Sequence, residues 1–413
     1  MISKGILFLS NGHGEDAINC QILHALRASG ADVDLAAMPI VGDGAAYRRS
    51  RVPIIGPTSI MPSGGVFYMN PLFFLKDVRA GLVRLTFQQL QAAWTHSQRC
   101  DLVVATGDIV AAAIAHATGR PYIIFLSAHS SYYEGQVYLG FLLNYLLLSE
   151  QCVAIFTRDA LTAADLNRQG FKKAQFVGNP VMDNLSPTGK DLRLMPGVQT
   201  IALLPGSRLP EATDNLLLLL ELVKQIATTS TVPVQFRAAL VPSLMPQLDD
   251  IAVRSGWLHR EGKLVCQEIK QQSSEKAATV EVICYSDAFA DILQQSNLVI
   301  GMTGSAIEQA VGLGKPVITI PGNGPAFTYR FAEAQNRLLG YSVRVVGQKS
   351  ADSDILKQAA LEVDRTLQDK SYLESCVKNG LERMGRSGAS IKIAEFATNH
   401  LEKTQFLTNT IGS

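Results

Sequence analysis

The chain has 413 residues, of which 47% are hydrophobic and 18% charged, so two or three domains with sizeable cores are expected and a disordered chain is excluded. Lys plus Arg total 37 and Asp plus Glu 36, a net charge of +1, which argues against a nucleic-acid partner because such proteins carry a clear basic excess. Six cysteines, at 20, 100, 152, 266, 284 and 376, form no CxxC pair and read as reduced thiols of a cytoplasmic protein.

The chain opens on a short apolar run, 6–10, that leads straight into a glycine loop. It is too short for a signal-peptide core and reads as a first buried strand. β-rich runs follow at 33–38, 102–105, 122–126, 154–157 and 175–177, with helical patterns between them, as at 16–28 and 78–93. Such alternation predicts a parallel sheet covered on both faces. The longest apolar stretch, 137–148, is too short to span a bilayer and contains Asn144. Residues 185–197 are rich in Pro, Gly and charge and read as a linker.

After the linker the alternation restarts. Strands are predicted at 200–204, 234–239, 280–283, 298–301, 316–319 and 343–345, and helices at 214–227, 305–312 and 355–368. Residues 256–279 read as an irregular excursion with a polar tip, 271–276, and a last helix runs from 388 to about 403. The predicted fold class is α/β, with two Rossmann-like halves, 1–185 and 198–385, whose parallel sheets face a central cleft, and a final segment, 386–413.

Three loops at predicted strand ends carry chemistry. The first, Gly12-His13-Gly14-Glu15-Asp16-Ala17, fits G-x-G-x-x-A between a strand and a helix. A dinucleotide site also needs an acidic residue at the end of the second strand, and that strand ends Ala36-Ala37-Met38-Pro39. A tight strand-helix turn explains the glycines but not the clustering of His13, Glu15 and Asp16. The second loop is Leu203-Leu204-Pro205-Gly206-Ser207-Arg208. Gly206 permits close approach, Ser207 can donate to a phosphate, and Arg208 offers a planar fork suited to a diphosphate. The third is Gly301-Met302-Thr303-Gly304-Ser305-Ala306-Ile307-Glu308. Thr303 or Ser305 is expected to cap the helix, whose N–H groups would face an anion, and Glu308 lies one turn in, where a carboxylate can accept from a ribose. The second and third loops belong to one half and together make a nucleotide-diphosphate site without a Walker lysine. The histidines show no metal-ligand spacing, and no metal site is expected.

These stretches resemble the lipid A disaccharide synthase family, in its divergent branch of lipid A disaccharide synthase-related proteins. The matching residues are Gly14-Glu15-Asp16, Phe176-Val177-Gly178-Asn179-Pro180-Val181-Met182-Asp183, Ala202–Arg208 with Glu211, Thr303–Glu308 and Pro325-Ala326-Phe327-Thr328. The resemblance implies a GT-B fold with the C-terminal helix crossing back to the first half. It implies inverting transfer of a GlcNAc-type sugar from a UDP-sugar to a lipid-linked acceptor, with no cofactor and no bound metal. Residues 1–185 would take the acceptor and face the membrane, and 198–385 would take the donor. Gly206, Ser207, Arg208, Thr303, Gly304 and Ser305 would hold the diphosphate, and Glu308 the ribose. The resemblance places Asp16 and Asp108 at family aspartates.

His13 and Asp108 compete as the general base; histidine as a residue type titrates near neutral pH, which suits the role. Departures lie in the first half, where Ala105-Thr106-Gly107-Asp108-Ile109-Val110 replaces the family's usual pattern, and they bear on the acceptor more than on the donor. The stretch 60–76, with Phe67, Tyr68, Phe73 and Phe74 and followed by Arg79 and Arg84, is expected at a membrane surface on the inner face of the membrane. A homodimer is a further expectation. Two other readings compete: a UDP-GlcNAc 2-epimerase, which shares the fold, and a non-catalytic UDP-sugar-binding protein.

Overall fold

The computed structural model describes residues 4–58, 82–270, 277–324 and 327–411. It divides into two compact units, Met1–Asp183 with Arg386–Ser413, and Asn184–Gly385.

The first unit holds β1 (Lys4–Ser10), β2 (Val33–Pro39), β3 (Leu102–Gly107), β4 (Tyr122–Leu126), β5 (Cys152–Thr157) and β6 (Ala174–Gln175). Its helices are α1 (His13–Ala28), α2 (Ala45–Arg49), α3 (Leu82–Ser97), α4 (Ile109–Ala117), α5 (Ser131–Glu134), α6 (Gly140–Leu148) and α7 (Ala160–Arg168). The second unit holds β7 (Gln199–Leu204), β8 (Val234–Ala239), β9 (Leu258–Arg260), β10 (Lys263–Lys270), β11 (Ala277–Tyr285), β12 (Leu298–Gly301), β13 (Val317–Thr319) and β14 (Val343–Val345). Its helices are α8 (Glu211–Thr229), α9 (Leu248–Ser255), α10 (Phe289–Gln295), α11 (Ser305–Gly312), α12 (Tyr329–Leu339), α13 (Ser353–Gln368) and α14 (Lys370–Met384). A final helix, α15 (Ala389–Ile411), returns to the first unit.

The first sheet is parallel in the order β2-β1-β3-β4-β5-β6, and a lone parallel bridge from Ala37 to Ile54 adds a position outside β2. Its central strands, such as LVVATG in β3 and YIIFL in β4, are buried throughout, which is why they read as unbroken apolar runs rather than alternating ones. On one face α1 and α15 bury Ile22, Leu23, Leu26, Ile393, Ala397 and Leu401 against Phe8, Phe125 and Phe156. Phe396 meets Phe156 edge-on, with ring centroids 5.7 Å apart. The other face is covered by α3, α4 and α6 through residues such as Ala93, Ile114, Leu143 and Leu146.

The return of the chain is fastened by the Phe176–Asp183 stretch. Gly178 has φ +107, and a Cβ there would lie 2.6 Å from the Arg386 carbonyl oxygen, so a side chain is excluded. The Asp183 carboxylate accepts from Ser387 Oγ (2.9 Å), the Gly388 amide (2.6 Å) and the Ser390 amide (2.6 Å), capping the start of α15. Asp183→Ala is expected to cost about 1–2 kcal/mol of stability, read as a lower thermal midpoint, because three donors lose one acceptor. Asp183→Asn should recover part of it.

The second sheet runs β14-β13-β12-β7-β8-β11-β10-β9. It is parallel from β14 to β11, and β11, β10 and β9 are antiparallel. The expected irregular excursion at 256–279 is therefore corrected: its described residues form β9, β10 and part of β11 at the sheet's edge. The half-buried Lys263 and Glu281 interrupt the apolar residues of β10 and β11 and hide the pairing, since this part of the sheet keeps polar side chains on one face. Residues 185–197 carry no regular element, yet they are tied to the second unit. Asp291 accepts from the amides of Thr188, Gly189 and Lys190, and the buried Arg237 donates to the carbonyls of Leu192 and Arg193.

Among the parallel strands of each sheet the order reverses once, between β1 and β3 and between β7 and β12. At such a switch point neighbouring connections leave to opposite faces, and a crevice opens at the strands' carboxyl ends.

Candidate functional site

In the second unit the reversal is set by register. Leu204 pairs with Gly301, and the Met302 amide donates to the Leu204 carbonyl at 2.9 Å. β7 and β12 thus end side by side, and the loops 205–210 and 302–304 leave together. Gly206 has φ +107, and a Cβ there would lie 3.3 Å from the Met302 carbonyl oxygen, so the two loops run close together. Asn215 Nδ2 on α8 donates to the Pro205 carbonyl at 2.9 Å and fixes the loop from behind. Ser207 and Arg208 are exposed beyond it.

α11 begins at Ser305, and its N-cap is Gly304, which contributes no side-chain bond. The expected cap by Thr303 or Ser305 is corrected here: the helix starts directly after a glycine, so Ser305 is already its first residue. The opening amides therefore keep the partial positive charge of a helix N-terminus available to an anion. Glu308 sits half-buried in the first turn.

Gln335 and Glu211, whose contacts leave no mark on local spacing, hold this arrangement. Gln335 Nε2 on α12 donates to the carbonyls of Thr303 (3.2 Å) and Gly304 (3.0 Å). Glu211 Oε1, at the start of α8, accepts from the Phe327 amide at 2.9 Å and fills the space over Gly324. Thr328 caps α12. The loop after β13 is thereby joined to the loop after β7.

In the first unit the reversal lies between β1 and β3. Gly12 is the N-cap of α1 and His13 its first residue. His13 is exposed, and its ring lies over Gly42, where a Cβ would come within 2.6 Å of Cε1. Glu15 Oε1 accepts from Ser127 Oγ, after β4, at 2.9 Å. Arg158, after β5, donates to the Ser127 carbonyl at 2.8 Å. Asp108 is the N-cap of α4: its Oδ1 accepts from the Val110 amide (2.9 Å) and from Asn11 Nδ2 (2.8 Å). Among the described residues both bonds fall on Oδ1. The carboxyl edge of this sheet thus carries Asn11, His13, Glu15, Asp108, Ser127 and Arg158.

Asp16 differs from its neighbours. It is buried below the loop and accepts from Ser10 Oγ at 2.6 Å. Ser10 Oγ pairs with Tyr47 Oη at 2.6 Å, Asn19 Nδ2 donates to Tyr47 Oη at 2.9 Å, and Thr106 Oγ1 donates to Asn19 Oδ1 at 2.6 Å. Burial pushes the Asp16 carboxyl from 3.8 up to about 7; the Ser10 bond opposes the shift, and the charges of Glu15 and Asp43 add to it. Below pH 3.8 the carboxyl is neutral whether the chain is folded or not. As pH rises to about 7 the unfolded chain ionises while the folded one holds its proton, so stability falls across that window. Asp16→Asn should flatten this slope and raise the thermal midpoint at pH 8, by an amount on the order of 1–3 kcal/mol in unfolding free energy. Melts at several pH values check it.

The sequence-proposed residues fall into two groups, one at each switch point. Gly206, Ser207, Arg208, Thr303, Gly304, Ser305 and Glu308 come together in the second unit, and His13 and Asp108 share a sheet edge in the first. Phe67, Tyr68, Phe73 and Phe74, with the whole 60–76 stretch, lie outside the described residues. Among the described residues no group of three His, Cys, Asp or Glu side chains is placed to hold a metal ion, and no helix is long and apolar enough to cross a membrane.

Comparison with known proteins agrees with this geometry. Residues 235–328 match the glycosyltransferase family 28 C-terminal domain. That stretch runs from β8 through the β12–α11 loop to Thr328, and it begins after Arg208. No curated protein sequence matches the chain. Among solved structures, the chain is similar to the MnaA–UDP complex of S. aureus (13% identity, 97% of each chain covered, TM-score 0.57). It is similar to Acinetobacter baumannii MurG (13%, 95% of this chain and 99% of that one, 0.56). It is also similar to UDP-GlcNAc 2-epimerase from Neisseria meningitidis bound to UDP-GlcNAc (13%, 97% and 100%, 0.53). At this identity the likeness fixes the fold: two Rossmann-like α/β units of the GT-B class, the second bearing a stretch that matches a glycosyltransferase domain.

Proposed function

We propose that the protein is an inverting glycosyltransferase that moves a GlcNAc-type sugar from a UDP-sugar to a lipid-linked acceptor at a membrane surface, in the manner of the lipid A disaccharide synthases. The observation that carries the reading is the pairing of Leu204 with Gly301, which sets the Arg208 loop beside the uncapped start of α11 in the unit matched to family 28. Support for a uridine diphosphate ligand comes from the neighbours solved with UDP and UDP-GlcNAc.

In this reading the second unit takes the donor. Arg208, Ser207 and the first amides of α11 hold the diphosphate, and Glu308 accepts from the ribose hydroxyls. The first unit takes the acceptor. Its base, His13 or Asp108, removes the proton from the acceptor hydroxyl as that oxygen attacks the anomeric carbon. The bond from that carbon to the diphosphate oxygen breaks with its electron pair, and UDP leaves with its new charge balanced by Arg208 and the helix N-terminus. Attack from the face opposite the leaving group inverts the anomeric centre.

The test is turnover of sugar-labelled UDP-GlcNAc with and without a membrane lipid extract. Label passing into the organic phase only when lipid is present is the expected result. Release of free sugar without lipid would favour the epimerase reading, and binding without turnover a non-catalytic role.

A further inference from the structure

Gln335 stands in the middle of α12 and is only 5% exposed. Its side-chain amide serves one loop: Nε2 donates to the Thr303 carbonyl at 3.2 Å and to the Gly304 carbonyl at 3.0 Å. Only the NH2 end of the amide can face two carbonyls, so these partners fix its orientation. The other end gains nothing, for Oε1 is buried and has no partner among the described residues. An apolar side chain of the same length would fill the space without burying an unpaired oxygen. Packing alone therefore does not account for a glutamine here, whereas the two loop carbonyls do.

What the two bonds accomplish follows from peptide geometry. A trans peptide is planar, so its C=O and N–H point in opposite directions. The Thr303 carbonyl shares a peptide with the Gly304 amide, and the Gly304 carbonyl shares one with the Ser305 amide. Drawing both carbonyls toward α12 turns both amides away from it, and neither amide has an acceptor among the described residues. The Gly304 carbonyl is held a second time, by the Ile307 amide of α11 at 3.0 Å. Among the described residues the Thr303 carbonyl accepts from Gln335 alone. The Thr303–Gly304 peptide is thus the one free to turn over if Gln335 lets go, since Gly304 has no Cβ to restrain it. Turned over, it would set an oxygen where an N–H now stands, just before the start of α11.

We infer that Gln335 is a positioning residue for phosphate recognition: by holding the Thr303 and Gly304 carbonyls against α12, it presents the Gly304 and Ser305 amides to the diphosphate of the donor. It touches no ligand and acts through the loop. Backbone amides at a helix start favour an anion only while the neighbouring carbonyls face elsewhere, and this side chain sets that condition. The inference rests on the reading of the β7 and β12 loops as a diphosphate site, and it adds the residue that keeps one of those loops in its anion-accepting arrangement.

The test compares UDP with uridine, which lacks the phosphates, by ligand-observed NMR titration of the full chain. Gln335→Met keeps the length of the side chain and removes its donors. UDP affinity should fall roughly tenfold, while uridine binds as it does to wild type. Gln335→Glu sets a carboxylate against two carbonyls and should lose more UDP affinity than the Met variant does. Gln335→Leu serves if the Met variant fails to fold. Asn336→Ala is the control for a merely structural role. Asn336, the next residue of α12, donates to the Val343 carbonyl and to neither loop carbonyl. Its loss should lower the thermal midpoint and leave the ratio of UDP to uridine affinity unchanged. A Gln335→Met variant that binds UDP as wild type does, or that loses UDP and uridine equally, would overturn the inference and leave the donor site standing. A wild-type chain that binds UDP no better than uridine would overturn both.

Discussion

Arg208→Ala is expected to weaken UDP binding about 10- to 100-fold, the loss that follows when a charge-assisted contact to a phosphate is removed. The argument rests on place as well as charge. Arg208 stands exposed on the loop that leaves β7 at the strand-order reversal, and that loop runs close to Met302 at Gly206 and is held by Asn215. A solvated arginine elsewhere on the surface would not share this backing. Arg208→Lys should retain part of the affinity but lose the planar two-point contact. Turnover should fall further than binding, because charge on the diphosphate grows as the sugar departs, and one lost stabilising donor costs about 100-fold or more in rate. An Arg208→Ala variant with unchanged UDP affinity would show that the diphosphate does not sit at this loop.

The second large effect is expected at the base. Asp108→Asn and His13→Gln should separate the two candidates: the true base loses about 100- to 10,000-fold in kcat, and UDP affinity is retained in both variants. The Asp108 substitution is mild for the fold. Asn can still accept from the Val110 amide and cap α4, so a loss of rate would report on the proton acceptor and not on the helix. His13 is exposed at the first turn of α1, so its replacement should leave stability within a few tenths of a kcal/mol. If both variants keep wild-type kcat, the proton goes elsewhere, and Glu15, held by Ser127, is next on the same edge.

Much of this was legible in the residues because strand-end loops carry their own punctuation. The buried runs at 102–105, 122–126 and 298–301 have no alternative reading, and the glycines of 12–14, 206 and 301–304 mark where chain must turn tightly or approach closely. The pairing of β10 with β11 leaves little trace in the sequence, because Lys263 and Glu281, an ion pair diagonal across the two strands, interrupt their apolar residues. Helix α14, KSYLESCVKNGLERM, buries Cys376, Asn379, Gly380 and Met384, a face with little apolar bulk to mark it in the sequence.

The site's supports were harder to see. Glu211 reaches an amide 116 positions away, Asn11 reaches Asp108 across 97, and Ser127 reaches Glu15 across 112. Such contacts are made by the sheet order and leave no mark on local spacing. The Phe176–Asp183 stretch shows the opposite case. The resemblance counts it among the matching stretches, and the structure gives it mechanical work: Gly178 and Asp183 fasten the start of α15. Local spacing groups Asp16 with His13 and Glu15, and the structure buries it in a network with Ser10 and Tyr47.

The central claim is that the β7 and β12 loops of the second unit form a uridine diphosphate site, and calorimetric titration of the wild-type chain with UDP tests it most directly. The account predicts saturable one-to-one binding without lipid, displaced by UDP-GlcNAc. A chain that melts cooperatively but gives no binding heat with either ligand would contradict it.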